Sequence, residues 1–190
     1  MSRLLAGIVL LPFIVGLSPA LNAGSPKRLS HDDALAVFIL NCAYYGIWPA
    51  AIDPQQTRQL RIGLVETGLE SALEKYSQQA MASWFQGGNL ALVAGNDPET
   101  MEHCHIVFIS NPEREAPFIE YFKGKPVLLL SETHNFINQG GTIRVWIERE
   151  RLQFEINLDS LRADNIEMKS AFKQKAVAFF SAGKREGNAK

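Results

Sequence analysis

The chain has 190 residues, 46% of them hydrophobic and 21% charged, which suits one globular domain with a full core and excludes both two ordinary domains and general disorder. Its 19 Lys and Arg nearly balance its 20 Asp and Glu, for a formal charge of −1, and no basic stripe or stacking platform points to nucleic acid. The first residues stand apart: Arg3 gives a positive start, and Leu4 to Leu17 is an apolar run without a charge. Ser18-Pro19-Ala20 and Leu21-Asn22-Ala23 offer small residues for cleavage, so residues 1–23 read as a secretory signal peptide, too short for a comfortable membrane span. Its removal takes away Arg3 and no other Lys, Arg, Asp or Glu, leaving a charge of about −2 on an exported, extracytoplasmic protein.

A single domain is expected over residues 30–182. Leu35, Phe38, Ile39, Cys42 and Tyr45 recur at the spacing of one helical face, Ser30 is a plausible N-cap, and Pro49 forbids continuation. Leu60 to Glu66 follows as a strand, Leu69 to Gln79 as a helix, and Asn89 to Ala94 as a second strand between Gly-containing turns. Cys104 to Ser110 and Val127 to Ser131 are near-continuous apolar runs, the pattern of strands covered on both faces, and Pro112 opens a helix between them that Gly124 ends. After a polar loop, Glu132 to Gly141, the segments Thr142–Ile147 and Leu152–Asn157 alternate apolar and polar around Glu148–Arg151, an antiparallel hairpin. An amphipathic pattern over Leu158–Ile166 and Met168–Phe180 reads as a terminal helix, and residues 183–190 as a flexible tail. The fold class is therefore α/β: a mainly parallel sheet flanked by helices, with right-handed crossovers and a C-terminal antiparallel hairpin and terminal helix.

Four segments in order carry a family resemblance: Phe38-Ile39-Leu40-Asn41 running to Trp48-Pro49, Cys104 to Ser110, Val127 to Glu132 with Phe136 and Gly140-Gly141, and Phe154-Glu155-Ile156-Asn157 followed by Met168-Lys169-Ser170. Together they resemble the YfiR-like family of periplasmic signalling regulators. That resemblance implies a Rossmann-like α/β domain in the periplasm, without catalysis, that restrains an inner-membrane diguanylate cyclase by binding its periplasmic sensor domain, so that cyclic-di-GMP output, biofilm and motility follow its occupancy. No cofactor is implied. The loop from Glu132 to Gly141 holds no cysteine, so redox switching through a loop disulfide is not carried over.

Cys42 and Cys104, the two cysteines of an exported chain, are a candidate disulfide; closing a loop of that length would contribute about 4 kcal/mol, and the alternative is two unpaired buried thiols. His103 and His105 face the same way on a strand, but no third ligand is visible and no metal site is assigned. Open parallel sheets bind ligands beyond the carboxyl ends of their strands, which places Glu66, Ser110, Glu132 and His134 in a candidate crevice, with helix caps and solvated loop ends as the alternative role. No Gly-x-Ser-x-Gly elbow frames Ser110 or Ser131 and no glycine-rich cradle follows the first strand, which argues against a hydrolase or a nucleotide site. Tyr44 and Trp146 are candidate anchors for a membrane-sensor partner, the alternative being aromatics covered by the C-terminal helix or by the second copy of a homodimer. Binding of a small molecule in the periplasm is the second reading.

Overall fold

The computed structural model describes residues 29–187; the expected signal segment, 1–23, lies outside them. Helix α1 (His31–Tyr45) starts where Ser30 Oγ accepts the Asp33 N–H at 3.1 Å and stops at Gly46. Trp48 folds back over that stop, its indole N–H donating to Ala43 O at 3.3 Å, and a side chain at Gly46 would meet its ring at 2.6 Å. A two-residue strand β1 (Gly46–Ile47) and a short helix α2 (Pro54–Thr57) lead to β2 (Gln59–Val65). Then come α3 (Glu70–Trp84), β3 (Asn89–Ala94), β4 (Ile106–Ile109), α4 (Pro112–Phe122) and β5 (Leu128–Ser131). The hairpin β6 (Ile143–Glu148) and β7 (Arg151–Asn157) follows.

One eight-stranded sheet in the order β3-β2-β4-β5-β6-β7-β9-β10 carries the domain, the last two strands being defined below. Strands β3 through β6 are parallel, β7 is antiparallel to β6, and the first five have the doubly wound order of a flavodoxin-like sheet. All four residues of β4 and of β5 are buried. Alternate side chains of these strands enter two separate apolar clusters. Ile106, Phe108, Leu128 and Leu130 pack with α1 and α3, whereas Val107, Ile109 and Leu129 pack with Phe118 and Phe122 of α4 and with Phe136. Gly141 has no room for a side chain because the Phe136 ring lies where its Cβ would stand, and Gly140 turns the chain at φ +106°.

Beyond β7 the chain departs from the expected terminal helix. It forms α5 (Leu158–Ala163), β8 (Glu167–Met168), α6 (Ser170–Lys173), β9 (Ala178–Ser181) and β10 (Lys184–Gly187). Asn165 at φ +54° breaks the helix, β8 pairs with β1, and β9 pairs with β7, whose backbone would otherwise be an open edge. Tertiary pairing outweighs the local helical period here. Residues 184–187, read as part of a flexible tail, pair with β9 as the last strand.

The candidate disulfide is corrected as well: Cys42 and Cys104 are both free. Cys42 belongs to the α1 cluster and Cys104 to the α4 cluster, so the sheet stands between them. Burial pushes the Cys42 thiol well above its ordinary value and the Cys104 thiol to about 11, which keeps both protonated and unreactive. Unfolding without reductant should therefore release two titratable thiols per chain, and native protein should show essentially none; a count of zero after unfolding would restore the bridge. The Phe38, Phe154 and Phe172 rings, with centroids 4.7 to 5.8 Å apart, clamp α1 and α6 onto β7. Phe154→Ala is expected to lower the free energy of unfolding by about 3–5 kcal/mol in a urea titration.

Candidate functional site

The crevice between the carboxyl ends of the neighbouring strands β2 and β4 is the topological switch point, where sheets of this order usually bind ligands. Here it is occupied by the protein's own side chains. Glu66, at φ +52°, accepts from Asn111 Nδ2 at 2.6 Å and from Arg114 Nε at 3.0 Å. Those hydrogen bonds, Asn111 first, hold the Glu66 carboxyl below its ordinary value, and Asn111 also caps α4. Ser110 sits beside this link, exposed, with its backbone N–H bonded to Val65 O. Glu132 instead pairs with His31 Nε2, 3.1 Å away at the start of α1. Of the four expected crevice residues, Glu66 and Ser110 thus share the switch point, Glu132 is tied to another element, and His134 lies elsewhere.

A buried pair escaped sequence reading at the neighbouring strand end. Ser131 Oγ donates to Glu115 Oε1 at 2.6 Å and accepts the Thr133 N–H at 3.2 Å, locking the first turns of α4 to the end of β5. Glu115 is only 1% exposed, although it sits in a Pro-Glu-Arg-Glu stretch that reads as a solvated helix start. Nothing in the local pattern signals that burial.

His134 lines a cavity of about 190 Å³ together with Ile137, Asn138, Arg144, Glu155 and Arg185. Ile143, Val145, Phe154 and Ile156 of the hairpin point into the α1 cluster, so Arg144 and its cross-strand partner Glu155 emerge on the opposite face. Glu155 is 4% exposed and accepts from Arg144 Nη1 at 3.3 Å and from Arg185 Nε at 2.7 Å. The Arg144 guanidinium lies 4.3 Å from the centre of the Trp146 ring. His134 thus lines one cavity with Arg144, the guanidinium on which Trp146 packs. Arg185 was missed because its segment reads as tail; the Arg144–Glu155 pair was legible as opposite charges on the polar face of the hairpin.

Tyr44, by contrast, is packed: its ring centroid is 5.0 Å from Tyr45 and 4.9 Å from Trp84, with Lys169 Nζ 4.5 Å away. His105 has both ring nitrogens engaged. Its Nδ1 accepts the Arg61 N–H at 3.0 Å, and Nε2 lies 2.8 Å from Ile52 O, the donor position of a neutral ring. The described residues contain no group of three or more His, Cys, Asp or Glu side chains placed to hold a metal ion.

A profile of the YfiR/HmsC-like family matches residues 32–173, which covers everything from α1 to α6. The chain belongs to the YfiR/HmsC-like family. The match spans the first helix, the two buried strands and the hairpin that build both clusters. A search of curated proteins returns no match. Among solved structures, a conserved domain protein from Vibrio cholerae O1 biovar El Tor is similar over 80% of this chain, at 9% identity and a TM-score of 0.47. A glycine decarboxylase (P-protein) of the glycine cleavage system, in inhibitor-bound form, is similar over 86% of this chain at 13% identity and a TM-score of 0.32. The chain spans 61% and 47% of the length of those two structures. Among the described residues of this family member, no helix is long and apolar enough to cross a membrane.

Two buried groups give stability opposite dependences on pH. Burial holds His105 below its ordinary value, so its contribution is fully present above about pH 6.5 and is lost as pH falls from there toward the lower native value. Burial raises Asp164, which accepts the Gly124 N–H at 2.9 Å, to about 6, so its contribution is present at low pH and is lost as pH rises from about 4 through 6. Asp164→Asn keeps the acceptor without the buried charge. It is expected to be about 1 kcal/mol more stable than wild type at pH 7.5, with the gap closing below pH ~4, when urea midpoints are compared.

Proposed function

We propose that this protein is an exported regulator that binds the periplasmic sensor domain of an inner-membrane diguanylate cyclase and restrains it. Membership of the YfiR/HmsC-like family supports this reading. So does the chemistry at the strand ends, where Glu66, Asn111 and Arg114 satisfy one another and form neither a phosphate cradle nor a nucleophile with a base. The observation that carries the binding role is Trp146. It is half-buried, it packs on Arg144, and it stands on a sheet face whose neighbouring cavity is lined by strands and one loop, with no helix among its lining residues. Tryptophan and arginine side by side on an exposed face are the residue types that dominate protein interfaces.

Tyr44 contributes to this reading only through α1, whose C-terminal end it helps to hold against Trp84. Deleting the gene should raise cyclic-di-GMP, and the rise should vanish when the partner cyclase is also removed. Trp146→Ala should reproduce the deletion while the purified protein keeps its wild-type free energy of unfolding, from a urea titration, to within about 1 kcal/mol. An unchanged nucleotide level after deletion, with the cyclase expressed, would refute the role.

A further inference from the structure

The cluster of Arg144, Glu155 and Arg185 is rich in donors and short of acceptors. Two guanidiniums converge on one buried carboxylate, whose Oε1 takes Arg144 Nη1 at 3.3 Å and whose Oε2 takes Arg185 Nε at 2.7 Å. Both carboxylate oxygens are then engaged, and one positive charge is left over. The Nε–H of Arg144 is buried and has no protein acceptor. Each guanidinium offers five N–H groups, far more than one carboxylate can accept, and a buried donor left unmade costs about 1–3 kcal/mol. His134 and Asn138, both exposed on the loop that walls the cavity, extend the rim with side chains able to donate. Ile137 supplies an apolar floor, and its own carbonyl is already taken by Asn157 Nδ2 at 3.3 Å. Glu155 supplies one negative charge against two guanidiniums, so what this site lacks is a second acceptor bearing negative charge.

We propose that this cavity binds a small oxyanion, the carboxylate of a short organic acid or a phosphate group, held between Arg144 and Arg185 with His134 and Asn138 at its mouth. The cavity, of about 190 Å³, is lined by two guanidiniums, an imidazole and an amide, a set of donors that suits a small anion such as a short dicarboxylate or inorganic phosphate. Arginine suits the task because its planar fork matches two oxygens of a carboxylate or phosphate at once. The site is 60% exposed at Arg185 and only 13% at Arg144, so one guanidinium is fixed and the other can close over an arriving anion. It lies on the face opposite the α1 cluster, away from the switch point where Glu66 and Ser110 stand, and it does not depend on which polypeptide the protein restrains.

The test is thermal unfolding of the mature chain with about 10 mM inorganic phosphate and, separately, about 10 mM succinate, each compared with sodium chloride of equal ionic strength. A rise in Tm of about 3–6 °C is expected with at least one of them, the size produced at roughly ten times Kd. A rise with phosphate alone assigns a phosphate group, and a rise with succinate alone assigns a carboxylate. Arg185→Ala and His134→Ala should each remove at least half of that rise. Arg114→Ala, which breaks only the ion pair with Glu66, should keep it. His134→Ala alters an exposed loop residue and keeps the test valid should Arg185→Ala fail to fold. No rise above the chloride control, or a rise that survives in His134→Ala and Arg185→Ala, overturns the proposal.

Discussion

Strands β4 and β5 are dry on both faces, and most of the architecture follows from that. Every backbone N–H and C=O along Ile106–Ile109 and Leu128–Ser131 lies away from water, so each must pair with a neighbouring strand, which fixes β2 on one side and β6 on the other. Both faces must also be covered, by α1 and α3 above and by α4 with Phe136 below. The sheet consequently divides the interior into two apolar clusters that do not meet. Cys42 and Cys104 fall on opposite sides of that division, and no rearrangement short of unpicking the sheet would bring them together.

Helix α1 carries the next requirement, because it is apolar on nearly all sides. Leu35, Ala36, Phe38, Ile39, Leu40, Asn41, Cys42 and Ala43 are all buried, and a helix of that kind must be enclosed. The sheet covers one side and α3 another, and the C-terminal segment supplies the rest: Lys169 N bonds to Tyr45 O at 2.9 Å, and Phe172 seats its ring against Phe38. Enclosing α1 and closing the open edge of β7 are two demands on the same twenty-odd residues. They are met by short helices and strands in alternation rather than by one long helix.

Polar groups taken into this interior act as ties between elements. His105 joins β2 to the segment before α2, Ser131 joins β5 to Glu115 of α4, and Asp164 joins the end of α5 to Gly124. At the switch point Glu66 performs the same service for α4, which is why the place where such sheets usually hold a ligand is filled by the protein itself. The charged group that is not simply a tie is the one on the far edge of the sheet. There, β10 brings Arg185 onto a carboxylate already matched by Arg144, and Trp146 stands beside them.

Local sequence was enough to define α1 with its Ser30 cap, the two buried strands, the helix opening at Pro112 and the hairpin, whose observed register pairs Ile143 with Ile156 and Val145 with Phe154. These are legible because hydrophobic period, caps and turn residues act over a few neighbours in the chain. The C-terminal strands, the burial of Glu115, the separation of the cysteines and the meeting of His134, Glu155 and Arg185 were decided only by the tertiary structure. Each depends on which edge or face lies nearby in space, and a residue's neighbours along the chain carry no record of that.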